Sequence, residues 1–142
     1  CVAEALERAA EICTRRGARL TAIRHRVLEL VWSSHSPIGA YGILARLEPK
    51  GRPGAPATVY RALGFLMAQG FVHRLRSLNA FVGCGFPGNP HMAQFLICRA
   101  CGAVAEMEEP RIGRAIGSAA AQAGFEVEAP VVEVQGRCPA WL

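Results

Sequence analysis

The sequence contains no aspartate and almost no lysine. Its eleven acidic residues are all glutamate, and 15 of its 16 basic residues are arginine. Long apolar runs are missing too, since no run approaches the roughly 18 consecutive apolar residues that a membrane-spanning helix needs. Glu4, Glu7 and Arg8 interrupt any apolar core that a secretory signal would need near the start. These absences argue against a membrane-embedded or secreted protein, and we expect no membrane partner.

The net charge of +5 is distributed unevenly. Residues 1–79 contain twelve Lys or Arg and five Glu, a net charge of +7, whereas residues 80–142 contain four Arg and six Glu, a net charge of −2. A basic first half is the expected footprint of phosphate binding. The charge distribution alone, however, is better explained by an ordinary solvated surface. The prediction of phosphate binding therefore needs support from sequence motifs.

The chain contains six cysteines without a recognisable secretory signal. This usage indicates a reducing compartment, and we expect a cytoplasmic protein. In such a compartment a Cys-x-x-Cys motif indicates metal binding or redox chemistry more often than a structural disulfide.

Apolar spacing in the first half predicts four helices and a hairpin. The helices cover residues 2–16, 22–33 after an N-cap at Thr21, 39–47 and 57–69, with Ile23 and Met67 among their buried side chains. The hairpin covers residues 71–82 around a turn at 77–79. Three helices followed by a hairpin are typical of a winged helix, here preceded by an additional helix. We therefore predict a winged-helix DNA-binding domain over residues 1–82.

The sequence pattern of the second half predicts a loop followed by a smaller domain. Residues 83–94, rich in Gly and Pro, read as a hinge and metal-binding loop. Strands are predicted at 95–97 and 103–107, a helix at 110–123 and a last strand at 125–134. Residues 95–142 thus form a small α/β domain, and the fold class of the whole chain is α+β.

Cys98 and Cys101 form the strongest local motif. Two thiolates three positions apart, with Gly102 just after them, can bind one tetrahedral zinc ion. A redox motif is the alternative, but it usually opens a helix, whereas strands are predicted on both sides here. Cys138 is the obvious third ligand. A second Cys-x-x-Cys would place the fourth ligand at position 141, which is Trp141 and cannot bind zinc.

A second set of candidate ligands comprises His73, Cys84, His91 and Glu106. Taken singly, each has an ordinary explanation as a surface histidine, a buried cysteine, a loop histidine or a solvated acid. Together they offer the nitrogen, sulfur and oxygen donors of a four-coordinate zinc site. The thiolate argues against iron or manganese as the intended metal, because those ions prefer harder ligands.

The fourth predicted helix has a polar face suited to the major groove of DNA. The residues that avoid its buried stripe are Thr58, Tyr60, Arg61 and Gly64. An outward arginine can bond guanine at two points, although an ordinary amphipathic helix explains the same pattern. Tyr41 on the third helix and the loop residues Lys50 and Arg52 are candidates for phosphate contacts.

These motifs together resemble the ferric-uptake-regulator superfamily, and within it the zinc-uptake regulators most closely. The matching segments are residues 19–24, 40–41, 56–63, 70–74, 77–81 and 95–106. These segments are spread along the chain, and the resemblance covers nearly its whole length. The four residues from Thr58 to Arg61, joined to the Cys-x-x-Cys spacing, make the resemblance specific.

The resemblance implies a homodimeric repressor that binds palindromic double-stranded operator DNA when zinc is ample. It assigns Cys98, Cys101 and Cys138 to a structural zinc, and His73, Cys84, His91 and Glu106 to a sensing zinc, giving two zinc sites per protomer. It also implies that residues 95–142 form a dimerisation domain, that Tyr41 and Arg61 contact DNA, and that there is neither catalysis nor a small-molecule substrate. Open alternatives are a sensor of iron, manganese or peroxide, and a zinc enzyme or thiol oxidoreductase.

Overall fold

The structure is a computed structural model that describes residues 1–34, 36–47, 56–88, 91–128 and 130–139. The chain divides into two units, Cys1–Gly88 and Asn89–Leu142. Helices and strands are mixed along the chain, which confirms the predicted α+β class. The boundaries placed at 82 and 94 from sequence stay predictions. No helix among the described residues is long and apolar enough to cross a membrane.

The first unit begins with four helices. They are α1 (Val2–Arg16), α2 (Ala22–Ser33), α3 (Ala40–Leu47) and α4 (Pro56–Ala68). α1 ends at Gly17, whose φ of 68° is a left-handed conformation that glycine adopts without strain. α2 begins after Thr21, whose hydroxyl accepts a hydrogen bond from the Arg24 N–H at 3.4 Å. The predicted helices and the Thr21 cap are thereby confirmed.

The core of the first unit is built from the inner faces of these helices. Its largest fully buried helical side chains are Val27, Leu28, Ile43, Val59, Leu63 and Leu66. Ile23 and Met67 were predicted to be buried, but each is 37% exposed. Met67 follows Leu66 directly, so its side chain is rotated about 100° away from the buried stripe. Ile23 lies in the first turn of α2, whereas the buried residues of this helix, Val27, Leu28, Leu30 and Val31, all lie later in it.

A hairpin completes the first unit. Strands β1 (Val72–Leu75) and β2 (Ala80–Gly83) pair antiparallel, with Val72 opposite Gly83 and His73 opposite Val82. Asn79 adopts a left-handed φ of 47° in the connecting turn, a conformation that asparagine tolerates. Ile38 forms an isolated bridge with Phe81 on the other edge of β2.

The second unit has a three-stranded sheet and one helix. Its elements are β3 (Ala93–Cys98), β4 (Val104–Met107), α5 (Pro110–Gln122) and β5 (Val131–Gly136). The strand order is β4-β3-β5, with β4 antiparallel and β5 parallel to β3. The prediction that the last strand starts at 125 was wrong. Pro130 lacks the N–H that a sheet ladder needs, and the strand begins only after it.

Among the described residues of the second unit, the fully buried ones lie on its central strand. The buried residues there are Ala93, Gln94, Phe95, Ile97 and Cys98. Gln94 is satisfied, because its side-chain amide donates to the Glu109 carbonyl at 3.0 Å and accepts from the Glu109 N–H at 3.3 Å. α5 has no buried residue within the described part of the chain.

Candidate metal centres

Three cysteines of the second unit are brought together by two backbone features. The first is the turn after β3, where the Cys98 N–H donates to the Ala103 carbonyl at 2.8 Å and Gly102 takes a φ of 79°. The second is the parallel pairing of β5 with β3, which sets Gly136 opposite Cys98. This register places Cys138, two residues beyond Gly136, next to the turn.

The three thiols form a compact cluster in which Cys98 is the most stabilised thiolate. The Sγ atoms of Cys98, Cys101 and Cys138 lie within 4.8 Å of one another. Backbone N–H groups of Cys138 and Cys101 donate to Cys98 Sγ at 3.4 and 3.5 Å. These hydrogen bonds, from Cys138 first, lower the pKa of Cys98 to about 6. At neutral pH this thiol is therefore already a thiolate, the form that binds metal.

The donor set suits zinc but supplies only three ligands. Three sulfur donors with mutually short distances, including 3.6 Å between Cys101 Sγ and Cys138 Sγ, fit the preference of zinc for thiolates in tetrahedral sites. Among the described residues, no further Cys, His, Asp or Glu joins this group. Trp141, which stands where a second Cys-x-x-Cys motif would place the fourth ligand, lies outside the described residues.

The hairpin of the first unit carries a His–Cys pair. His73 lies opposite Val82 on the paired strand, and Cys84 follows two residues later on the same face. A ring nitrogen of His73 and Cys84 Sγ lie within 4.8 Å of each other. Cys84 is buried, its N–H donates to the Phe71 carbonyl at 2.9 Å, and its Sγ accepts from the Phe86 N–H at 3.3 Å. The His73 nitrogen and the Cys84 sulfur can therefore bind the same metal ion.

The second unit carries a His–Glu pair. His91 Nε2 and a carboxylate oxygen of Glu106 are 3.1 Å apart, and the two side chains are only 11% and 9% exposed. Glu106 is held on β4, opposite Phe95 of β3. Burying a carboxylate is costly unless it is paired, so this contact stabilises the pair without metal. The same nitrogen and oxygen are donors that zinc accepts.

Three of the six candidate DNA-contacting residues, Tyr41, Tyr60 and Arg61, are exposed on helices. Their role in DNA binding stays a prediction. Tyr41 on α3 is 70% exposed and Tyr60 on α4 is 50% exposed. Arg61 is exposed and Thr58 is half-buried, both on α4. Lys50 and Arg52 lie outside the described residues.

Two contacts in the first unit have no signal in the sequence. The Arg24 guanidinium lies 3.9 Å from the centre of the Phe65 ring, a cation–π contact that ties α2 to α4. Trp32 lies against Gly83, immediately before Cys84. Both contacts join residues that are far apart in the chain, so no local spacing pattern predicts them.

A model described as the ferric uptake regulator family matches residues 15–135. The chain belongs to the ferric uptake regulator family. Its relatives within this family include the zinc uptake regulation protein of Escherichia coli (strain K12), which is 39% identical over 138 residues, 96% of this chain and 81% of that protein. The peroxide operon regulator of Bacillus subtilis (strain 168) is 30% identical over 136 residues, 96% of this chain and 92% of that protein.

A solved structure of this family is similar along almost its whole length. It is described as a zinc uptake regulator complexed with zinc and DNA, and it matches with a TM-score of 0.91 at 38% identity. The match covers 98% of this chain and 93% of that one. The resemblance to zinc-uptake regulators that the motifs predicted is thereby confirmed.

Proposed function

We propose that this chain is a zinc-responsive repressor that binds operator DNA as a homodimer and controls genes for zinc uptake. The observation that carries the proposal is the pairing of half-buried His73 on β1 with buried Cys84 just after β2. The two residues offer half a set of zinc ligands, and β1 packs against the candidate DNA-reading helix α4. The similarity to a zinc uptake regulation protein supports zinc as the signal. The similarity to a regulator solved with zinc and DNA supports DNA as the partner.

The sensing site is assigned to His73, Cys84, His91 and Glu106. Each unit contributes one pair, and the four donors complete the ligand set of a four-coordinate zinc site. When bound, zinc supplies a divalent charge that all four donors share. Coordination by both pairs restricts the arrangements that the two units can adopt. Apparent DNA affinity then rises, because a larger fraction of molecules is competent to bind.

The structural site is assigned to Cys98, Cys101 and Cys138. The N–H donors to Cys98 Sγ stabilise its thiolate before any metal arrives. With three thiolates, the fourth position is filled by water or by another residue, and the site exchanges its metal faster than a four-thiolate site does. Measuring zinc per protomer after mild chelation tests this; zinc that resists removal as in four-thiolate sites would contradict it.

DNA reading is assigned to α4. Arg61 is the candidate for guanine contacts in the major groove, with Thr58 and Tyr60 beside it, while Tyr41, Lys50 and Arg52 are assigned to phosphates. In a dimer the two recognition helices meet half-sites that lie one DNA turn, or a multiple of it, apart. A palindromic operator follows from the two-fold symmetry.

The homodimer is assigned to the second unit. Large hydrophobic side chains are exposed there at Ile116, Phe125, Val127, Val131 and Val134. α5 buries none of its described residues within the protomer, although it is amphipathic. Such apolar surface is costly to leave in water, and a second copy of the same unit would cover it.

The test is DNA binding across buffered free-zinc concentrations. Duplexes selected from a random pool with zinc-loaded protein serve as the operator probe in mobility-shift titrations. We expect His73→Ala and Cys84→Ser to remain folded dimers that have lost zinc-dependent binding. His25→Ala, at an exposed histidine of α2, is the matched control and should behave as the parent. Equal binding by the metal-free and zinc-loaded parent would contradict the proposal.

A related sensor of iron, manganese or peroxide is the second candidate, because a peroxide regulator is 30% identical. The Cys84 thiolate favours zinc over those harder ions. Competition among Zn²⁺, Fe²⁺ and Mn²⁺ for the site containing His73 and Cys84 separates these possibilities. A zinc enzyme would need an open coordination position, which four protein ligands do not leave. A hydrolase and a disulfide-exchange assay test that last class.

A further inference from the structure

The strand end that carries Cys84 lies against the indole ring of Trp32. A Cβ atom added at Gly83 would lie 2.5 Å from Trp32 Nε1 and 2.8 Å from Trp32 Cδ2, and still closer to Cε2. Real Cβ atoms essentially never approach other heavy atoms within 3.0 Å. The ring therefore occupies the space where any other residue at position 83 would place its side chain. An aromatic ring that covers a strand glycine in this way replaces the missing packing.

The register of the hairpin shows which face Trp32 supports. Val72 is paired with Gly83, and His73 with Val82. Because side chains alternate, Val72 and position 83 share one face, while His73, Val82 and Cys84 share the other. Val72 belongs to the helical core, and Trp32 packs against that core too. Trp32 thus backs the strand end from the face opposite the His73–Cys84 pair.

The backbone hydrogen bonds that join this strand to its neighbours lie within the plane of the sheet. Phe81 exchanges two hydrogen bonds with Ile38, at 3.1 and 2.8 Å, and the Cys84 N–H donates to the Phe71 carbonyl at 2.9 Å. These bonds resist sliding and separation of the strands. Displacement perpendicular to the sheet is resisted by packing, and at the residue before Cys84 that packing is the Trp32 ring.

We propose that Trp32, through its contact with Gly83, is a positioning residue that sets the place of Cys84 Sγ in the sensing metal site. The proposal rests on the assignment of His73 and Cys84 as ligands. Metal–ligand distances tolerate only about 0.2 Å. A methyl group at position 83 must displace either the Trp32 ring, which packs against the core, or the strand end itself. Residues that support metal ligands typically change affinity about 10–100-fold when mutated.

The experiment measures metal affinity of the full chain, with its three-cysteine site already filled with zinc. Cobalt(II) is titrated in competition with a chromophoric chelator, and the part of the thiolate-to-cobalt absorption that is absent in Cys84→Ser reports Cys84 coordination. The variants are Gly83→Ala, Trp32→Leu and the double variant Trp32→Leu/Gly83→Ala. Gly39→Ala is the matched control, because its Cβ would meet only the Asn79 carbonyl at an ordinary 3.6 Å.

We expect Gly83→Ala to lower cobalt affinity about 100-fold and Trp32→Leu about tenfold, each with weaker thiolate-to-cobalt absorption. The double variant should bind more tightly than Gly83→Ala, because leucine leaves room for the added methyl group. Gly39→Ala should match the parent. If Gly83→Ala does not fold, Trp32→Leu alone tests the proposal. A cobalt affinity of Trp32→Leu equal to that of the parent would overturn it.

Cys84→Ser separates this inference from the proposed function. If Cys84→Ser loses cobalt affinity while Gly83→Ala and Trp32→Leu bind as the parent does, only the role of Trp32 is overturned. A double variant no better than Gly83→Ala would also overturn it, since the effect would not pass through the ring. If Cys84→Ser itself binds as the parent does, the metal site is wrongly assigned and both proposals fall.

Discussion

The two units of this chain are stabilised in different ways. In residues 1–88 the four helices and the hairpin share one buried core, to which every helix contributes at least one fully or nearly fully buried side chain. In the second unit only the central strand β3 is buried, and α5 buries nothing within the described residues. Apolar burial can hold the first unit, whereas in the proposed function the second is stabilised in addition by metal and a partner surface. We therefore expect that each unit can be destabilised without unfolding the other.

Loss of the three-cysteine site should have the largest effect and should be confined to the second unit. Structural zinc sites contribute about 10–16 kcal/mol of apparent binding free energy in small peptides, so Cys98→Ser should remove most of the order of this unit. Hydrogen exchange should show lost protection across residues 91–139 with protection retained in 1–88, and the dimer should dissociate. Cys1→Ser, at an exposed cysteine outside the cluster, is the control. Equal loss of protection in both units would refute the separation.

A cavity in the core of the first unit should have the next largest effect. Leu63 on α4 is fully buried, and Leu63→Ala should lower the free energy of unfolding by about 2–5 kcal/mol. Met67→Ala, on the same helix but at an exposed position, should cost under about 1 kcal/mol. Urea unfolding monitored by hydrogen exchange of residues 1–88 measures both. Similar costs for the two variants would mean that the buried face of α4 is wrongly placed.

Removal of one DNA-reading side chain should leave both units folded. Arg61→Ala should weaken binding to the selected operator by about 1–3 kcal/mol, because a two-point contact with guanine is lost. Zinc content and dimerisation should not change, since Arg61 lies on an exposed face of α4. Arg15→Ala, at an exposed arginine of α1, controls for the loss of charge. Parental operator affinity in Arg61→Ala would show that α4 is not the recognition helix.

Acid should release metal from the three-cysteine site, and the release should become steeper where Cys98 begins to be protonated. Its pKa is depressed to about 6, so the thiolate is fully present above that pH and is lost as the pH falls through it. Proton competition at this ligand costs about 1.4 kcal/mol, or tenfold in affinity, for each pH unit below 6. Zinc retention measured between pH 4.5 and 7.5 should show this break. A constant slope across the whole range would contradict the assignment of Cys98 as the most acidic thiol.

The elements that local chemistry determines were predictable from the sequence. Gly17 and Thr21 delimit α1 and α2 as expected, and the turn at 77–79 lies where polar residues interrupt two β-prone runs. The last strand was placed too early, because alternation in residues 125–128 resembles a strand, whereas pairing begins only after Pro130. Met67 was assigned to the core because periodicity alone could not fix which side of α4 the hairpin covers.

The candidate metal sites likewise contain some ligands that local spacing predicts and others that it cannot place. Cys98 and Cys101 are neighbours through a local turn, so their spacing predicts the pair. Cys138 reaches them only through the parallel register of β3 and β5, and His91 meets Glu106 only because β4 returns beside β3. Chemistry and family resemblance could nominate these ligands, but spacing could not place them. The contact between Trp32 and Gly83 could not be predicted from local spacing either, because it joins a helix to a strand end some fifty residues later.

The parallel strand pair has a consequence for biosynthesis. β5 follows β3 only after β4 and α5, so the third thiol reaches the other two after nearly every described residue has been translated. A ribosome-bound chain that has exposed Cys98 and Cys101 offers two sulfur donors and cannot yet form the three-donor cluster. Metal binding by all three thiols would therefore mark a polypeptide whose synthesis has passed residue 138, and truncated translation products would lack the complete cluster.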